Sequence, residues 1–139
     1  MDENYLIAYN DTIGDEGCTL EIDSTDRGGQ TWKGISRVEN PNWVGWKLID
    51  AHLKAGDSLA VIKSDQYLET LVKQFYYDEF WLALKIDKIK IQPIQIKFFN
   101  AAVNVGQKPA TRFQQASVNL PLTGEVDQQL INALNALVV

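Results

Sequence analysis

Cysteine and histidine each occur once in this chain of 139 residues, and that scarcity excludes whole classes of chemistry. A lone Cys18 can form no internal disulfide and no thiolate zinc cage. A lone His52 leaves Ser–His–Asp and Cys–His mechanisms with little material, and it reads as a surface residue of a helix. No metal or cofactor is called for. The Gly28-Gly29 pair lacks the Lys-Ser/Thr ending and the preceding buried strand of a phosphate-cradling loop. No apolar run approaches the roughly 18 residues that span a bilayer, so no stable membrane insertion is expected. The opening Met1-Asp2-Glu3-Asn4 has no basic region and no long apolar run behind it, so no secretory leader is recognisable. Positive charge is in deficit too: 13 Lys and Arg against 18 Asp and Glu give a net charge of −5. That balance argues against a nucleic-acid partner, because phosphate neutralisation needs a basic face.

What is present is ordinary for a folded domain. Hydrophobic residues make up 45% and charged residues 22%, enough for one core over 1–139. Apolar periodicity predicts a short helix over 3–15, with Tyr5, Leu6, Tyr9 and Ile13 near one face. A second helix is expected from about Asn42 to Ala55, where Trp43, Trp46, Ile49 and Leu53 recur at helical spacing and Gly56 supplies a stop. The third starts at a Ser64 or Asp65 cap and carries an apolar stripe of Leu68, Leu71, Val72, Phe75 and Leu82. Pro93 is best placed in the first turn of a fourth helix reaching about Asn104. Two more follow near 109–118 and 126–137. The expected fold is mainly α, interrupted early by a polar, Gly-rich insertion that is irregular or a small β-hairpin.

That insertion holds Glu16, Glu21, Asp23, Asp26 and Thr31. Cleavage of a glycosidic bond uses two carboxyl roles: one protonates the leaving oxygen, the other assists a water or stabilises the cation. An acid at a helix end beside the core can hold its proton through a raised pKa, and Glu16 has that place in the sequence. Asp26, in a polar turn, would stay ionised, and Thr31 could hold a water against the opposite face of the sugar. On spacing alone a solvated acidic loop explains the same residues. A calcium loop explains them less well, since the acids do not alternate as in a helix-loop-helix site.

Asp15-Glu16-Gly17, followed by Asp26-Arg27-Gly28-Gly29-Gln30-Thr31-Trp32-Lys33-Gly34-Ile35-Ser36, resembles the signature of glycoside hydrolase family 108. These are bacterial and phage N-acetylmuramidases, in which Glu-Gly-Gly-Tyr precedes Asp-x-Gly-Gly-x-Thr-x-x-Gly-Ile. The stretch Arg37 to Asp50, with Pro41, Trp43, Gly45 and Trp46, also looks like one branch of that family. Phe99-Asn100-Ala101-Ala102-Val103-Asn104-Val105-Gly106 resembles the start of its C-terminal peptidoglycan-binding segment. The resemblance implies a lysozyme-like fold, with a catalytic portion over 1–90 and a peptidoglycan-binding-like segment over 91–139 packed into the same domain. It puts Glu16 on the family's catalytic glutamate. The spacing of Glu16, Asp26 and Thr31 is similar to the Glu-Asp-Thr triad of phage-type lysozymes. Those relatives are typically inverting, with carboxyl groups about 6.5–9.5 Å apart.

Two departures bear on activity. Cys18 and Thr19 stand where the family has Gly and Tyr, and the loop before Asp26 is one residue longer, so Asp23 competes for the second acidic role. A non-catalytic wall-binding or phage structural module is the alternative these changes motivate. Trp32 and Asn104 are the candidates for substrate contact, Trp32 by stacking on a sugar face. Trp43, Trp46 and the cluster Tyr76, Tyr77, Phe80 and Trp81 read as core. The implied partner is the peptidoglycan glycan strand, reached by a monomer after lysis or by export through a holin or similar route.

Overall fold

The computed structural model describes residues 1–14, the backbone of 20–21, and residues 29–137. Helices dominate, and one small antiparallel sheet follows the first of them, as a mainly-α, lysozyme-like fold requires. The chain forms two compact units: Met1–Gly14 with Phe75–Val139, and Asp15–Gln74.

The first unit is built on aromatic packing. Helix α1 (Glu3–Tyr9) starts where the Asp2 carboxylate accepts from the Asn4 N–H at 2.8 Å, a short-range cap. The helix buries Tyr5, Ala8 and Tyr9, then widens into a π-helical turn over Asn10–Gly14 that buries Ile13. Helix α4 (Gln66–Tyr76) also passes into π geometry over Tyr77–Leu82. Tyr5 meets Tyr77, Trp81 and Phe99 edge-on at centroid distances of 5.0, 5.3 and 5.7 Å. Such pairs contribute roughly 0.5–1.5 kcal/mol each beyond the area they bury. The predicted aromatic core is therefore present, with Trp81 and Tyr76 buried deepest. Leu82, expected on the same stripe, is instead 39% exposed. A π turn holds more residues than an α turn, so it shifts a 3.6-residue stripe out of phase and gives the buried place to Trp81.

Helix α5 (Gln92–Val105) takes Pro93 in its first turn, as predicted, and ends at Gly106, whose φ of +102° suits glycine. It packs against α1 and against α6 (Gln107–Ser117). Gln95 is buried but satisfied: it accepts from Asn4 Nδ2 at 3.1 Å and donates to the Ile86 carbonyl at 3.0 Å. Gln115 likewise pins the loop before α7 (Gln128–Asn135), donating to Thr123 Oγ1 and the Glu125 carbonyl and accepting from the Gly124 N–H. Helix α7 buries Leu130, Ile131 and Leu134.

The second unit carries the sheet. Strands β1 (Leu20–Glu21), β2 (Thr31–Trp32) and β3 (Ile35–Ser36) pair antiparallel in sequence order. Lys33 and Gly34 alone join β2 to β3, with φ of +47° and +84°. Two successive positive φ values match the twist of a tight hairpin, and glycine at the second makes the turn accessible. Helix α2 (Gly45–Lys54) begins three residues later than the sequence pattern suggests. Trp43 therefore precedes the helix, half-buried, and meets the buried Trp46 edge-on at 5.2 Å. Helix α3 (Leu59–Lys63) was not anticipated. It buries only Ile62 and starts at Ser58, whose hydroxyl accepts from the Val61 N–H. Asp65 caps α4 as expected, accepting from the Tyr67 and Leu68 N–H groups at 3.0 and 3.1 Å.

Candidate active site

Six residues carry the sequence-based site. Glu16, Asp23 and Asp26 lie outside the described residues, as do Cys18 and Thr19. Thr31 and Trp32 form β2 in the second unit, and Asn104 lies near the end of α5 in the first. Asn104 is exposed, and its amide donates to the Asn100 carbonyl at 2.9 Å and to Asn100 Oδ1 at 3.1 Å. Asn100 in turn donates to Thr12 Oγ1 at 3.3 Å, linking α5 to the π turn that leads toward Glu16 in the chain.

Trp32 corrects an expectation. Its side chain is 2% exposed and is cross-strand neighbour to the buried Ile35, so the ring serves as core and offers no open face for stacking on a sugar. Alternation along β2 explains this: with Trp32 facing inward, Thr31 faces the other side of the sheet. Thr31 is half-buried on the central strand, paired with Glu21 on one side and Ser36 on the other.

Around Thr31 lies a polar arrangement that the motif did not reveal. Arg37 extends the ladder one step past the Thr31–Ser36 pair, its N–H donating to the Gln30 carbonyl at 2.9 Å. The Arg37 guanidinium forks onto the Asp50 carboxylate of α2 at 2.7 and 2.8 Å and also donates to Gln30 Oε1. Its carbon stands 5.2 Å from the centre of the Trp46 ring, a cation–π contact. The hydrogen bonds from Arg37 hold the Asp50 carboxyl below its usual pKa, and Asp50 raises that of Arg37. At the turn, Lys33 Nζ reaches Glu69 on α4 at 2.7 Å, with both side chains largely covered. Spacing could not have found these pairs, because each joins residues from different elements.

His52 differs from the exposed helix residue anticipated. It is half-buried between two carboxylates, Nδ1 at 2.7 Å from Asp57 and Nε2 at 2.8 Å from Asp65. Hydrogen bonding to Asp65 first, then to Asp57, raises its pKa. The His52 contact and the Leu68 N–H lower that of Asp65. Among the described residues, no group of three or more His, Cys, Asp or Glu is arranged to hold a metal ion. A recess of about 90 Å³ lined by Gln115, Leu120, Pro121, Thr123, Asp127 and Gln129 is well below the roughly 300–1,000 Å³ of ligand pockets.

A family model described as glycosyl hydrolase 108 matches residues 9–106, well over half the chain. The chain belongs to this family. It is a glycoside hydrolase, of a family of peptidoglycan hydrolases. The match spans the whole of the second compact unit and part of the first, and runs through Glu16 to Asn104, so all six sequence-based site residues fall inside it. It ends at the glycine that separates α5 from α6. No curated protein matches the chain. No helix among the described residues is long and apolar enough to cross a membrane.

Proposed function

We propose that this glycoside hydrolase cleaves the β-1,4 bond between N-acetylmuramic acid and N-acetylglucosamine in peptidoglycan, with Glu16 as the general acid. The observation that carries this reading is the family match over 9–106 joined to the Glu16, Asp26, Thr31 spacing within it. Glu16 donates its proton to the glycosidic oxygen as the bond to the anomeric carbon breaks. A water held by the Thr31 hydroxyl attacks that carbon from the opposite face, and its proton passes to the carboxylate of Asp26 or, because the loop is one residue longer, Asp23. The place of Thr31 on the central strand, paired on both sides, favours this assignment, since a water-positioning hydroxyl must hold its place through the reaction. Residues 91–139 are read as the part that contacts the glycan strand, with Asn104 at its near end. The enzyme acts as a monomer on the wall, after lysis or through a holin-type route.

The decisive measurement is release of reducing ends from purified wall. The parent chain should release them, and Glu16→Gln should reduce the rate by about a hundredfold or more, since general-acid catalysis contributes roughly 10²–10⁴. Undiminished turnover by Glu16→Gln would sink the assignment. Sedimentation with wall in the absence of any turnover by the parent would favour a binding module, the reading that Cys18 and Thr19 support.

A further inference from the structure

The fork of Arg37 onto Asp50 is a costly geometry to hold at a surface for stability alone. The two side chains are 35% and 51% exposed, and exposed ion pairs contribute about 0–1 kcal/mol. Yet this guanidinium is held by several partners at once. It has two bonds to Asp50, one to Gln30 Oε1 and a ring contact with Trp46, while the Arg37 N–H bonds the Gln30 carbonyl. Trp46 is itself held, its indole N–H donating to the Asn40 carbonyl at 2.8 Å. Every one of these contacts lies within one compact unit and ties α2 to the open end of the hairpin. The residue between Gln30 and the buried Trp32 is Thr31, and its cross-strand partner Ser36 directly precedes Arg37.

We propose that Arg37 and Asp50 are positioning residues for the Thr31 hydroxyl, acting through Gln30 and the hairpin ladder, an inference that rests on Thr31 holding the attacking water. The hairpin is short: each strand is two residues long and the turn includes a non-glycine residue at positive φ. Such a ladder has little rigidity of its own. A bidentate guanidinium–carboxylate pair fixes direction as well as distance, which a lysine at the same place could not do. The pair therefore sets where the hydroxyl stands relative to the sugar and contributes little to substrate binding. A displacement of about 1 Å in a positioned group can cost on the order of a hundredfold in rate.

The experiment measures kcat, KM and melting temperature for Thr31→Val, Arg37→Lys, Asp50→Asn and the exchanged pair Arg37→Asp/Asp50→Arg, using the full chain on soluble glycan fragments. Lys88→Ala, which removes another surface ion pair, serves as the control. Arg37→Lys and Asp50→Asn should each lower kcat about tenfold or more, with KM changed less than about threefold. Their melting temperatures should match that of the control to within a few degrees, and the exchanged pair should regain part of the lost kcat. If Thr31→Val loses kcat while Arg37→Lys and Asp50→Asn keep it, the positioning role is overturned and the Thr31 reading survives. If Thr31→Val keeps full kcat, the water-holding reading fails and the proposal fails with it. A kcat loss that only tracks a large drop in melting temperature would assign the pair to folding and would also overturn the proposal.

Discussion

His52 shows how much one side chain depends on neighbours that its own segment does not contain. Asp57 comes from the turn after α2 and Asp65 from the cap of α4, and together they set a carboxylate oxygen at each ring nitrogen, an arrangement that favours the imidazolium with a donor to each. Neutral imidazole has only one N–H, so deprotonation leaves a ring lone pair facing a carboxylate. Because the folded-state pKa of His52 is raised, the stability it contributes is complete below the unfolded value of about 6.5. It is lost as pH rises through the folded-state pKa. On the acid side the same contact fades as pH falls through the lowered pKa of Asp65. The pair is partly solvated, so the whole effect is about 1 kcal/mol, or about 2–4 °C in melting temperature. Melting curves of the parent and of His52→Gln, recorded from pH 5 to 9, check this. The parent's advantage should shrink toward the alkaline end, and a difference independent of pH would refute the doubly bonded imidazolium. Trp32 makes the same point in the opposite sense: a ring placed by motif at a binding loop is, in three dimensions, a core residue.

At the scale of elements, most boundaries follow from local chemistry. The Asp65 cap and the Pro93 first turn sit where caps and proline are favoured, because those groups satisfy or dispense with free helix-end N–H groups. The start of α2 does not follow from local preference. Trp43 lies over Gly45, and a Cβ added there would fall inside the van der Waals envelope of the indole ring. The tryptophan ahead of the helix thus requires the glycine within it. Gly45→Ala should destabilise the protein by about 1–3 kcal/mol despite alanine's better helix propensity, as chemical denaturation would show. An unchanged or raised midpoint would mean that the indole moves aside without cost. The two π turns are a further tertiary effect. Regular periodicity reads through Asn10–Gly14 and Tyr77–Leu82 as α-helix, and both widened turns lie in the unit that buries Tyr5, Trp81 and Phe99.

For the whole molecule, a net charge of −5 faces a substrate whose peptide and polymer groups are themselves anionic. Encounter is then opposed by long-range repulsion, which salt screens over about 8–10 Å at physiological strength. KM on whole wall should therefore fall severalfold as salt rises from about 10 to 150 mM, with kcat little changed. A KM that rises with salt would instead reveal a dominant basic contact surface. The sequence alone determined the helical class, the early insertion, the aromatic core around Tyr76 and Trp81, and the family that makes this chain a glycoside hydrolase. These are matters of composition, periodicity and local spacing, which act within a few turns of chain. Tertiary structure alone decided which side of β2 faces inward, which residue in the π segment is buried, and what holds the hairpin. Arg37 finds Asp50, Lys33 finds Glu69 and His52 finds Asp65 across element boundaries, where attraction depends on distance in space and not on separation in sequence.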